Sequence, residues 1–123
     1  MLQLFISALL IAHGLVHLAV WLPRSSTQPA DVAAFDPHHS WLLPREASDV
    51  SGDRAAVACC VLYVLAGVAV WLSPEVAAVA IVVAAASGLA LKLVYFSRWL
   101  LVGVALDLAV LLLGLALWYA AYR

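Results

Sequence analysis

Four stretches of this chain, residues 2–22, 55–72, 76–96 and 99–122, are long, apolar and nearly free of charge. The first two contain no Asp, Glu, Lys or Arg, the third contains Lys92 alone and the fourth Asp107 alone. About 20 such residues in a helix cross the hydrocarbon core of a bilayer. In that medium each stretch must satisfy its own backbone hydrogen bonds, and an α-helix does so. The expected fold is therefore all-α: a four-helix antiparallel transmembrane bundle, one integral membrane domain over residues 1–123, with one long loop, 23–54, between helices one and two. With 67% hydrophobic and 11% charged residues, the chain has more apolar surface than a water-soluble core of this size can hide. A net charge of −1 gives no electrostatic footprint for nucleic acid. The partners expected are the lipid bilayer, other membrane proteins and further copies of the chain.

The first stretch reads as a span and not as a cleavable leader. No Lys or Arg precedes it, no small-x-small site follows it, and His13 and His17 interrupt it. Trp21-Leu22-Pro23-Arg24 marks its exit to water. In the loop, Asp31 to Phe35 suggests a short helical turn, and Ser40-Trp41-Leu42-Leu43-Pro44 an apolar island resting in the headgroups or capping the bundle. Ser48 to Arg54 reads as turn-rich, with Ser51 or Asp53 as cap of the second helix. Ser73-Pro74-Glu75 starts the third helix as soon as the second stops. The short links at Ser73-Pro74 and Ser97-Arg98 force helices two to four to run up and down. Trp21 and Trp99 then anchor one interface, Trp71 and Trp118 the other. Ala84, Gly88, Gly103 and Gly114 allow close helix contact, and Cys59 and Cys60, being adjacent, read as small core residues without a disulfide.

Depth along each helix follows from a rise of about 1.5 Å per residue. Counted from the loop-side ends, His13, Tyr63, Ser87 and Asp107 all fall near about 12–13 Å, with His17 and Lys92 shallower at about 6–8 Å. The polar groups thus form one layer, a pocket or half-channel expected to open toward the long loop, which carries Asp36, His38 and His39. His13 and His17 stand at i and i+4, on one helix face. A carboxylate at the depth of Asp107 needs a partner, and His13 is the first candidate. Lys92 is the second; its long stem also suits snorkelling to the interface.

These residues support several readings. Intramembrane polar groups tie helices together, and they also mark ligand sites and proton relays. The preferred function is a small non-enzymatic membrane protein, an accessory subunit or ligand-binding module, with His13, His17, Tyr63, Ser87, Lys92 and Asp107 as the ligand-binding or relay set. It has no nucleophile–base set or phosphate loop. The alternatives are an oligomeric proton- or cation-coupled transporter, and a redox, lipid or quinone-associated enzyme component. The cofactor suggested is a divalent metal, with His13 and His17 as chelate and Asp107, His38 or His39 completing it. Imidazoles one turn apart lie side by side, which does not suit a haem iron.

His13-Gly14-Leu15-Val16-His17, followed by a compact four-span chain, resembles small bacterial four-helix membrane proteins of the DoxX-like kind, in which a His-Gly pair sits in the first helix. The chain departs from that group at His17, where Lys is commoner. Phe35-Asp36 with Ser40-Trp41-Leu42-Leu43, and Trp99 to Asp107, are similar to segments of uncharacterised actinobacterial membrane proteins. The resemblance implies a membrane accessory or redox-associated role.

Arg24, Arg45, Arg54, Lys92 and Arg98 lie on the loop side, and Arg123 on the other. The positive-inside bias places the loop in the cytoplasm and both termini outside the plasma membrane. Single cysteines placed in the 24–54 loop are expected to resist an impermeant thiol reagent applied to intact cells. Labelling there from outside would reverse the orientation.

Overall fold

The computed structural model describes residues 1–21 and 40–123, without the side chains of 45, 46 and 48–50. The described residues form four α-helices: α1 (Leu2–Trp21), α2 (Arg45–Ala69), α3 (Pro74–Val94) and α4 (Leu101–Ala121), the last entered through one 3-10 turn at Arg98–Leu100. Each is long and apolar enough to cross a membrane. The distribution of polarity is the reverse of a soluble protein's. Leu, Val, Phe and Trp side chains stand exposed on all four helices, while His17, Lys92 and Asp107 are buried. Lipid is the surrounding that satisfies both facts, and the chain is a multi-pass membrane protein.

The helix boundaries follow from capping. Ser73 Oγ accepts the Val76 amide at 3.3 Å with Pro74 in the first turn, and Ser97 Oγ accepts the Trp99 amide. The second helix differs from expectation. It begins at Arg45, directly after the extended Pro44, so the turn-rich reading of 48–54 does not hold. Ser51 is no cap: its hydroxyl donates to the Ala47 carbonyl one turn back, which lets a polar residue remain inside a helix. The apolar island also has a definite task. Ser40 Oγ donates to Val94 O at 2.7 Å and Trp41 Nε1 to Leu93 O at 2.6 Å. Together they satisfy carbonyls that the end of α3 leaves without intrahelical partners. The expected turn at Asp31 to Phe35, and Asp36, His38 and His39, lie outside the described residues.

Packing runs in sequence order, α1 on α2, α2 on α3 and α3 on α4, each pair antiparallel. The backbones of α1 and α4 stay apart along nearly all their length. Glycines set the close approaches. A Cβ on Gly14 would stand 2.8 Å from Tyr63 Cβ and 3.1 Å from Cys60 O, and one on Gly114 would meet Ile81 and Val82 at 2.9 Å. Two apolar layers result. One holds Leu10, Ala66, Ile81, Ala84 and Val110; the other, nearer the loop, holds Trp21, Cys59, Leu91, Tyr95 and Leu100. Both cysteines are buried and free. Trp71, Trp99 and Trp118 are exposed, as interface anchors should be, but Trp21 is 1% exposed. Its ring lies inside the bundle because His17, one turn away, offers it a stacking face.

Gly14→Val is expected to lower stability in detergent by about 1–3 kcal/mol through overpacking against α2. Ala12→Val, on the exposed side of the same helix, should leave the melting temperature unchanged, and equal effects would remove the close contact.

Candidate functional site

Between the two apolar layers lies a polar layer built around Asp107. Its side chain is fully buried, and both carboxylate oxygens are engaged. Oδ1 lies 2.6 Å from His13 Nε2 and accepts the Tyr63 hydroxyl at 2.7 Å. Oδ2 accepts Lys92 Nζ at 2.7 Å. The same ammonium lies 2.8 Å from His17 Nε2, and His17 Nδ1 lies 3.0 Å from the backbone carbonyl of His13. Every helix contributes: α1 two imidazoles, α2 the phenol, α3 the ammonium, α4 the carboxylate.

These contacts assign the protons. A carbonyl oxygen only accepts, so His17 carries its hydrogen on Nδ1 and presents the Nε2 lone pair to Lys92. An ionised Asp107 also only accepts, so His13 carries a hydrogen on Nε2. Lys92 and Asp107 cancel in charge.

Room for the network comes from two glycines. A Cβ on Gly88 would fall 2.7 Å from Asp107 Oδ2, and one on Gly103 would fall 2.6 Å from Lys92 Cε. On the loop side the layer is closed by rings. His17 stacks on Tyr63 at 5.4 Å and on Trp21 at 6.3 Å between centroids, and Trp21 meets Tyr95 edge-on. Tyr95 in turn shares a 2.8 Å hydrogen bond with Ser51. The expected opening toward the loop is therefore filled by aromatic side chains among the described residues.

The structure thus brings together five of the six residues proposed from depth: His13, His17, Tyr63, Lys92 and Asp107. Ser87 stands apart from the carboxylate network, donating to Ala84 O of its own helix at 2.7 Å. A short hydroxyl is satisfied by its own backbone, and it faces the Cys59 thiol of α2 rather than the carboxylate. Lys92 does not snorkel. It is 4% exposed, because a carboxylate and an imidazole within hydrogen-bond reach replace the water it would otherwise seek.

The metal reading fits this arrangement poorly. His13, His17 and Asp107 each bring a donor atom within 4.8 Å of the others. Two of the three residues, His17 and Asp107, already share the Lys92 ammonium, and His13 Nε2 shares its hydrogen with the carboxylate. The cation of this site is Lys92. His38 and His39, the other ligands considered, lie outside the described residues.

No protein-family model, no curated protein and no solved structure matches this chain.

Lys92→Met is expected to strand the carboxylate and cost about 3–5 kcal/mol of stability. Adding Asp107→Asn should recover at least about 1 kcal/mol, as coupled neighbours do. Thermal denaturation in detergent reads both, and a double variant less stable than Lys92→Met would show that the two groups are not paired.

Proposed function

We propose that this chain is a small non-enzymatic protein of the plasma membrane that binds and does not transport, acting as a ligand-binding module or accessory subunit. His13, held by Asp107, is its binding group, and the loop-bearing side faces the cytoplasm. The observation that carries this reading is the state of His13. Its Nε2 is bound to Asp107, its side chain is 10% exposed, and its Nδ1 makes no hydrogen bond among the described residues. The other members of the layer have their hydrogen-bonding groups turned on one another.

Transport is the weaker reading. A proton or cation path needs polar groups along its length. Here apolar layers border the polar one on both sides, with Leu91 and Leu100 on one and Leu10 and Ile81 on the other. Purely structural tethering is weaker too. Intramembrane tethers are made by single polar contacts of Ser, Thr, Asn, Gln or His, as Ser7 does in donating to Gly67 O at 2.8 Å. Five ionisable side chains exceed that need.

The test compares wild type with His13→Gln, whose amide can still donate to Asp107 but which lacks the imidazole Nδ1. Solvent extracts of the two purified proteins are expected to differ by a small molecule present in about stoichiometric amount with wild type. Proteoliposomes of wild type are expected to pass protons no faster than empty vesicles. Identical extracts would overturn the binding reading. A potential-driven proton flux that stops in Asp107→Asn would establish the relay instead.

A further inference from the structure

At the end of the bundle away from the loop lies a groove of about 430 Å³, lined by α3 and by Tyr122 at the end of α4. The α3 residues are Glu75, Val76, Val79, Ala80 and Val83. The last four recur at i, i+3, i+4 and i+7, so they form one stripe along the helix. Val76, Val79 and Val83 are nearly half exposed, and the groove is open rather than enclosed. From Glu75 to Val83 the stripe descends about 12 Å toward the bilayer centre. The same end carries the exposed Trp71, Trp118 and Tyr122, as a membrane interface does. The groove therefore starts among head groups and runs down into hydrocarbon.

Glu75 is the one charged residue among those that line it. The side chain is exposed and hydrogen-bonds to Ser73. A carboxylate has about four acceptor sites, so that bond leaves it free to accept others. Arg123, next to Tyr122 in the chain, is engaged elsewhere, its guanidinium 4.3 Å over the Tyr119 ring.

We infer that this groove holds one phospholipid whose head group carries a primary ammonium, a phosphatidylethanolamine. The ammonium sits on Glu75, and an acyl chain lies along Val76, Val79, Ala80 and Val83. The inference concerns the other end of the bundle from His13 and does not depend on the ligand-binding reading above. Below Glu75 the lining is aliphatic, which suits hydrocarbon and offers a polar ligand no partner. A second helix is too thick: about 12 Å of it, at about 10 Å across, fills roughly 900 Å³, twice the space there is. The charge at the mouth then decides the head group. An ammonium donates charge-assisted hydrogen bonds to a carboxylate. A choline head group bears the same charge but has no N–H to donate. A glycerol head group leaves the lipid anionic, and Glu75 repels it.

In the test, the full chain in detergent is mixed with equal amounts of palmitoyl-oleoyl phosphatidylethanolamine, phosphatidylcholine and phosphatidylglycerol. Native mass spectrometry reads the lipid that each protein molecule retains. One phosphatidylethanolamine per chain is expected, about tenfold above either competitor. Glu75→Gln should remove that preference. Val79→Trp, which fills the groove from an exposed position, should release the lipid, and Val61→Trp, on the exposed face of α2, should not. Equal retention of the three lipids by wild type, or a preference that persists in Glu75→Gln, would overturn the inference. So would equal retention by the two tryptophan variants, which would place the lipid elsewhere on the surface.

Discussion

A carboxylate held at mid-depth in an apolar bundle is the constraint from which the other features follow. Left alone, Asp107 would have to be neutral or reach water. Here it is ionised and dry because three donors, from three other helices, converge on its two oxygens. Each donor then needs its own support. Lys92 is steadied by His17, and His17 by the carbonyl of His13. The network closes on α1, and no step of it passes through solvent.

Holding such a network between rigid helices is a problem of space as much as of charge. Tyr63, Lys92 and Asp107 are bulky groups at helix contacts, and each faces a glycine on a neighbouring helix: Gly14, Gly103 and Gly88 respectively. A methyl group at any of the three would enter the volume of the polar side chain. The backbone thus approaches where polar atoms must meet, and the apolar layers on either side hold it there. Between α1 and α4 no such backbone contact develops, and the polar bridge itself spans the gap.

Much of this was legible in the sequence. The four helices were plain because backbone in lipid has few alternatives. The membership of His13, Tyr63 and Asp107 followed from counting depth. Depth alone, however, says nothing about rotation. Ser87 sits at the right level but one residue from Gly88, about 100° away around α3, and so misses the centre. Lys92 was ambiguous because its stem can reach either way. The signal that resolves it was present: Gly103 stands as far inside the start of the fourth stretch as Lys92 stands inside the end of the third. Gly88 and Asp107 match in depth in the same way, and so do Gly14 and Tyr63. Pairing each polar residue with a glycine of equal depth identifies the side that faces a neighbour. The burial of Trp21 had no such marker, since it depends on the edge-on contact with Tyr95 at the end of α3, and the early start of α2 turns on the extended Pro44 that directly precedes it.

The order of the helices has a consequence for biosynthesis. Chains emerge from the ribosome N-terminus first, so Lys92 in α3 reaches the bilayer before α4, which carries its counter-ion, is inserted. Until that last segment is inserted, the ammonium has only an imidazole to face, and the nascent product carries a bare charge in hydrocarbon at a cost of a few kcal/mol. Completion of the fourth helix relieves that cost in a single step. A truncated or stalled product keeps it, and so differs from the finished protein by a feature that membrane quality-control machinery can recognise.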